Sequence, residues 1–193
     1  MLEVMREHWT IVILGRWNVA IFNPDWLRRN IFQSTDITLE IGIQPELPRR
    51  ITGDNVVIIP ANSRLMLVPN DLEEPTLLRT EQAACKILEL LKHTPVNAVG
   101  INYGYRVKPL LPELRDKLPV IFATEFAKEN LTIRSREYKW TCQYEQQTLN
   151  ISCQSDGEEA VVLFNFHLDV TDTEAAAGYI NGKVMPNRDK TST

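Results

Sequence analysis

The sequence predicts an α+β fold, in which an antiparallel β-sheet of about six to eight strands carries helices packed mainly on one face. Several segments alternate apolar and polar residues with the period of two that marks a half-buried strand. One longer segment repeats its apolar residues with the helical period. Near the C-terminus, three alternating segments follow one another with only short turns between them, which is typical of antiparallel strands.

Chain length and composition fit a single globular domain. The 193 residues are enough to bury a core without disulfides or a structural metal. The cysteines number three and lie far apart, so a disulfide framework is not expected either. We predict one α+β domain over residues 1–181 and a flexible polar tail over residues 182–193.

The N-terminal segments predict a strand, a helix and a second strand. Residues 9–22 are apolar enough for a strand or a tight pair of strands. Asn23 is a good N-cap and Pro24 suits the first helical position, so a short helix is predicted from Pro24 to about Phe32. Residues 37–43 alternate cleanly and predict a half-buried strand.

The central segments predict a hairpin and the longest helix. Residues 56–59 and 65–68 are apolar runs on either side of a turn, so they should pair and be covered on both faces. Residues 75–93 carry an apolar stripe at helical spacing and should form a helix that packs on the sheet.

Residues 99–107 predict a strand with two unlike faces. One face is apolar and aromatic, and the other carries glycines and polar residues. A short helix is predicted at residues 112–118, and residues 120–130 fit either a strand or a helix.

The C-terminal third predicts a three-stranded meander. A two-residue turn at Gln146-Gln147 would pair Trp140 with Cys153. A second two-residue turn at Asp156-Gly157 would pair Ile151 with Val162. In both registers the apolar residues share one face, and a slip of one residue would send them to solvent.

A resemblance accompanies the strand at residues 99–107. The segment Gly100-Ile101-Asn102-Tyr103-Gly104-Tyr105-Arg106-Val107 resembles a strand of a sporadically distributed family of uncharacterised bacterial proteins. The order of elements before it is also similar. The chain departs from the family at Tyr105, where the family usually has Asn. That family has no assigned activity, so the resemblance implies no catalytic residues.

The same strand supplies the candidate ligand contacts. Gly100 and Gly104 remove side chains from one face and leave Asn102 and Arg106 raised above it. Such glycines can form the floor of a groove, or they can admit a closely packed helix. The groove hypothesis takes Asn102, Tyr103, Tyr105 and Arg106 as contacts, with Arg106 binding an anion or a carboxylate.

No motif for a cofactor, a metal or a catalytic nucleophile is present. The sequence has no phosphate-binding loop, dinucleotide glycine fingerprint, zinc-protease helix, Cys-x-x-Cys or nucleophile elbow. His167 and Asp169 could offer two metal ligands, but a typical site needs three or four, and a solvated strand face is the preferred explanation of their spacing. We therefore predict no cofactor, no metal and no catalytic residue.

Charge and hydropathy limit the classes of partner that the chain is expected to bind. The net charge of −4 disfavours nucleic acid, although Arg134, Arg136 and Lys139 could form a weak nucleic-acid site. No apolar run is long enough for a membrane span, so a cytoplasmic location is expected.

The leading hypothesis for function is a non-catalytic protein-interaction module. Its expected partner is a second copy of the chain, in a homodimer or other homo-oligomer, or else another protein. The motivation is that an open sheet needs at least one edge covered. One alternative is an enzyme with a site near Tyr103, Tyr105 and Arg106, and another is the weak nucleic-acid binder.

Overall fold

A computed structural model gives the fold of residues 1–34, 36–41, 49–110 and 133–191. The helix predicted at residues 112–118 and the ambiguous segment 120–130 lie outside these described residues, as does the end of the strand predicted at 37–43.

Within the described residues, ten strands form one antiparallel sheet. The strands are β1 (Leu2–Val4), β2 (Thr10–Gly15), β3 (Thr38–Glu40), β4 (Arg50–Gly53), β5 (Val56–Ala61), β6 (Arg64–Pro69), β7 (Val96–Val107), β8 (Arg136–Tyr144), β9 (Gln147–Ser155) and β10 (Ala160–Asp169). Their order across the sheet is β3-β4-β5-β6-β2-β7-β10-β9-β8, and β1 also pairs with β7. The count exceeds the predicted six to eight because strands of three or four residues, such as β1 and β4, are too short to show an alternating pattern.

The two helices predicted from Pro24 and over residues 75–93 lie close to their predicted positions. The described helices are α1 (Pro24–Asn30), α2 (Glu74–Leu90), α3 (Thr173–Ile180) and α4 (Val184–Thr191), with 3-10 turns at Arg6–His8 and Val19–Ile21. The Asn23 side chain accepts a hydrogen bond from the Trp26 backbone N–H at 2.9 Å, which confirms the predicted cap of α1. None of the helices in the described part of the chain is long and apolar enough to span a membrane.

The helices pack on one face of the sheet, which we call the helix-covered face. Contacts join α2 to β2, β5 and β6, and join α3 and α4 to β7. Ile13, Leu67 and Phe166 are buried on this face in one continuous core with the helices. We call the opposite surface of β2, β7, β10, β9 and β8 the open face. The predicted α+β class, with helices mainly on one face, is confirmed.

The C-terminal meander, β8–β9–β10, is confirmed, but both of its registers differ from the prediction by two residues. Trp140 pairs with Ile151, and Cys153 pairs with Val162. A shift of two preserves the face of every side chain, so the predicted division into an apolar and a polar face still holds. The first turn falls at Glu145-Gln146, where Glu145 adopts a positive φ of 53°.

The second turn is longer than predicted because Asp156 organises a four-residue loop. Its carboxylate accepts the backbone N–H groups of Glu158 and Glu159 at 2.9 and 3.0 Å. The Ser155 hydroxyl donates to the Glu159 carbonyl at 2.9 Å and accepts the Gly157 N–H at 3.1 Å. These side-chain bonds stabilise a loop of residues 156–159 in place of a two-residue turn.

The predicted loose tail contains a docked helix. Residues 184–191 form α4, in which Val184 and Asn187 are buried. The polar composition of this segment suggested a tail, but the helix is held by hydrogen bonds from α2 and β7 that its own sequence does not reveal.

Candidate functional site

The four predicted contact residues do not lie on one surface. Tyr103 and Tyr105 belong to the helix-covered face and are buried, whereas Asn102 and Arg106 belong to the open face and are half-buried. Alternation along β7 separates the two pairs, because neighbouring side chains of a strand point to opposite faces. A single groove therefore cannot use all four side chains.

The two tyrosines hold the C-terminal helix. The Tyr103 hydroxyl donates to the Val184 carbonyl at 2.6 Å, and the Tyr105 hydroxyl lies 2.7 Å from the Thr191 hydroxyl. Burial raises the pKa of Tyr103 well above its ordinary value, so its phenol stays protonated and keeps its donor role. These hydroxyls satisfy the need of buried tyrosines for a partner.

A buried glutamate completes the anchor of α4. The Glu81 carboxylate, on α2, accepts the backbone N–H groups of Gly182, Lys183 and Val184 at 2.9 to 3.1 Å. The first N–H groups of a helix have no partner within the helix, so an acceptor at this position stabilises the helix start. The polar groups of the helix-covered face thus serve the fold.

Arg106 is already matched by carboxylates of the same chain. Its guanidinium lies 3.7 Å from Glu3 and 3.7 Å from Glu159. Lys108 also contacts Glu159, at 3.0 Å. This ion-pair group joins β1, β7 and the loop before β10, and it leaves Arg106 less available to an external anion than the sequence suggested.

The two glycines of β7 make room for side chains rather than for a helix. A Cβ on Gly104 would lie 2.5 Å from the His8 Cβ, and a Cβ on Gly100 would lie 2.7 Å from the Asn165 Nδ2. Close approach explains both glycines. At Gly100, the neighbour that needs the space belongs to a hydrogen-bonded group of side chains.

That group is a row of amides and hydroxyls across five strands, which we call the asparagine row. It consists of directly paired residues of β2, β7, β10, β9 and β8 on the open face: Thr10, Asn102, Asn165, Asn150 and Thr141. Each member is hydrogen-bonded to the next. Over four strand spacings of about 4.8 Å, the row is about 19 Å long.

The hydrogen bonds of the asparagine row all run in one direction. Thr141 donates to Asn150 at 3.0 Å, and Asn150 donates to Asn165 at 3.1 Å. Asn165 donates to Asn102 at 2.7 Å, and Asn102 donates to the Thr10 hydroxyl at 2.9 Å. Aligned bonds of this kind polarise and strengthen one another.

A trough of about 470 Å³ runs along the asparagine row. The row forms one wall. The facing wall comes from the next row of open-face residues and the 3-10 turn before β2: Glu7, His8, Leu163, Ser152 and Lys139. The trough is shallow and crosses the strands, and its lining is mostly uncharged.

The outer edge of β8 is the second candidate surface. Six of its nine residues are exposed, and none of the described residues pairs with its outer side. Trp140, at the midpoint of the strand, is 44% exposed and stacks on Tyr138 with ring centroids 5.9 Å apart. The opposite edge of the sheet, β3, has only three residues.

The surroundings of two thiols, those of Cys85 and Cys153, do not favour nucleophilic chemistry. Burial, with Glu81 and Glu89 nearby, raises the pKa of Cys85 to about 11. Burial also raises the pKa of Cys153. Cys85 borders a cavity of about 670 Å³ between α2 and α3, but its thiol stays protonated there and is a poor nucleophile.

The two possible metal ligands, His167 and Asp169, contact each other on β10. His167 Nε2 lies 3.1 Å from Asp169 Oδ1, and among the described residues no third His, Cys, Asp or Glu joins them in a group able to hold a metal ion.

Two of the basic residues of the possible nucleic-acid site point in different directions. Arg136 and Lys139 lie on opposite faces of β8, and Lys139 contacts Glu137 at 3.1 Å. Arg136 and Lys139 therefore do not share one surface of the sheet.

A scan of the chain against known protein families finds no match, and a search of curated proteins finds no relative. Function must be argued from the two surfaces themselves.

The sequence singles out Asn102 but does not reveal the asparagine row. Each asparagine occupies a polar position of an alternating strand, which is the only signal that the sequence carries. The predicted register would have placed Asn150 opposite Leu163, whereas it lies opposite Asn165. The row appears only when the register is known.

Proposed function

We propose that the chain is a non-catalytic protein-interaction module that self-associates through the outer edge of β8. The nine-residue outer strand, with exposed Trp140 at its midpoint, is the observation that carries this proposal. An open edge offers unpaired N–H and C=O groups to a second strand. Dimerisation through such an edge pairs the two β8 strands about a twofold axis and joins the two sheets into one.

The sequence of β8 suits antiparallel pairing with a second copy of itself. With the twofold axis at Trp140, all nine residues find a partner, and the two tryptophans face each other. Lys139 lies opposite the partner's Thr141, and Glu137 opposite the partner's Gln143. No like charges oppose one another in this register, whereas an axis at Lys139 would place two ammonium groups together.

This pairing also continues the two faces of the sheet. Antiparallel self-pairing joins residues of the same parity, so the aromatic side of one β8 meets the aromatic side of the other. Tyr138 and Trp140 would then be shielded on the edge side by the partner's Trp140 and Cys142. Aromatic cross-strand neighbours contribute on the order of 0.2–1 kcal/mol per pair.

Sedimentation velocity across the micromolar range tests the proposal, with Trp140→Glu as the disrupting variant. The wild type should show a monomer–dimer equilibrium. Trp140→Glu places two carboxylates opposite each other at the axis, so it should remain monomeric. Leu39→Glu is the matched control, since Leu39 is 40% exposed on the other edge strand and should leave dimerisation unchanged.

Two results would overturn the proposal. One is a wild-type chain that remains a strict monomer throughout the concentration range. The other is a dimer that Trp140→Glu leaves intact, because that dimer would use another surface. Circular dichroism of both variants shows whether the sheet is still formed.

A further inference from the structure

We infer that the trough along the asparagine row is a binding site for an uncharged, hydroxyl-rich ligand, of which a short linear oligosaccharide is the best match. This inference concerns the open face and does not depend on self-association through β8. Four features of the site lead to it.

The asparagine row retains unused hydrogen-bonding capacity. A primary amide has two N–H donors and two acceptor lone pairs. In the row, Asn150 and Asn165 each donate once and accept once. Each therefore keeps one donor and one acceptor for a molecule in the trough.

The internal bonds of the row fix the amides in place. Each asparagine is oriented by neighbours on both sides, and Gly100 lets Asn165 lie close to β7. Side chains that are already ordered lose little conformational entropy when a ligand binds. This is the arrangement expected of a site rather than of a freely solvated strand face.

The distribution of charge around the asparagine row disfavours ionic ligands. The row itself contains no ionisable group, and the cations near it are matched by carboxylates: Lys139 by Glu137, and Arg106 by Glu3 and Glu159. A phosphate or carboxylate would gain little in such a site, whereas a neutral polar ligand would lose no strong hydration.

Hydroxyl groups match the repeat of the row. A hydroxyl both donates and accepts, so one group can satisfy the free N–H and the free lone pair of an amide. The asparagines recur about every 4.8 Å, the strand spacing, so a ligand with regularly repeated hydroxyls can bond to each in turn. Leu163 and Met66 add apolar contacts for the C–H surfaces of sugar rings.

Titration of the full-length protein with cellotetraose, followed by NMR, tests the inference. The side-chain amide signals of Asn150 and Asn165 should shift in a saturable manner. Losing these bonds through Asn165→Ala should weaken binding about fivefold or more. Gln154→Ala is the matched control, because Gln154 is exposed on the same face of β9, and it should bind like the wild type.

Three outcomes would overturn the inference. The first is the absence of any saturable shift with cellotetraose or with maltotetraose. The second is equal affinity in Asn165→Ala and Gln154→Ala, with Asn150→Ser measured in the same way should Asn165→Ala not fold. The third is tighter binding of the anionic oligomer tetragalacturonate than of either neutral oligosaccharide.

Discussion

The two edges of the sheet are built in different ways. β3 has three residues, and its last residue, Glu40, lies 3.4 Å from Arg50 of β4. Short, charged edge strands discourage pairing with another chain. β8 has nine residues and carries an exposed tryptophan at its midpoint. β3 therefore has the features of a protected edge, whereas β8 has those of the association edge that we propose.

The contrast extends from the edges into the regions behind them. β5, near the edge formed by β3, is buried on both faces. It contacts α2, and α2 in turn holds α4. The meander has one apolar face and one polar face, and most side chains of β9 and β10 are half-buried. Stability should therefore depend mainly on the helix-covered region, and association on the meander.

The largest loss of stability is expected from Glu81→Ala. The substitution leaves three N–H groups at the start of α4 without their acceptor, of which the Val184 N–H is buried, and should cost about 3 kcal/mol in the free energy of unfolding. Urea denaturation measures this loss. The exposed Glu89→Ala on the same helix should change stability by less than about 0.5 kcal/mol.

The Glu81 result also bears on the comparison of the two regions. Sedimentation velocity on the folded Glu81→Ala protein should show the wild-type dimerisation. Altered dimerisation would mean that association depends on the helix-covered region as well.

A smaller loss is expected where the two regions meet, at Gly104 of β7. The added Cβ of Gly104→Ala would lie 2.5 Å from the His8 Cβ and 3.0 Å from the Leu163 Cδ2, so the 3-10 turn must shift at a cost of about 2 kcal/mol. Gly178→Ala is the control, because nothing lies within 4 Å of its Cβ. That substitution, in α3, should stabilise the protein by about 0.5 kcal/mol.

Tyr103→Phe should have a more modest effect. It removes the 2.6 Å hydrogen bond to Val184 and leaves a buried carbonyl without that donor, at a cost of about 1 kcal/mol in thermal or urea unfolding. If Tyr103 were instead a ligand contact of the trough, the same variant would impair cellotetraose binding, which this account does not expect.

The smallest effect concerns acid. Hydrogen bonds from backbone N–H groups lower the pKa of Asp156, in the second turn of the meander, and the pKa of Asp172, which caps α3. A lowered pKa in the folded state contributes stability above the unfolded value near 3.8, and that contribution is lost as the pH falls through the folded value.

Denaturation at about pH 5 and about pH 3 measures this dependence. Asp156→Asn and Asp172→Asn should each reduce the loss of stability between the two conditions. Unchanged pH dependence in both variants would mean that these two carboxylates do not contribute.

Much of the fold could be predicted because it is encoded locally. Alternation located β7 and the meander, the cap at Asn23 located α1, and the apolar stripe located α2. These signals depend only on neighbouring residues. The first turn was predicted one position too late and the second was predicted too short. Both depend on details that the pattern of apolar residues does not specify: the positive φ of Glu145 and the side-chain bonds of Asp156.

The candidate site was less predictable because it depends on contacts between distant segments. Asn102 and Asn150 are 48 positions apart in sequence and become part of one row only through the registers of β10 with its two neighbours. Glu81 reads as an ordinary helix residue until α4 is placed on top of it. Tyr103 and Tyr105 were assigned to a groove although strand alternation already placed them on the apolar face.

Hydrogen exchange of the β8 and β3 backbone amides, measured by NMR at a low and a high protein concentration, tests whether β8 is the edge that associates. If β8 is the association edge, the exchange of its backbone amides should become markedly slower at the high concentration. The amides of β3 should exchange at the same rate in both samples. Exchange in β8 that is independent of concentration while the protein dimerises, or protection that appears in β3 instead, would contradict the account.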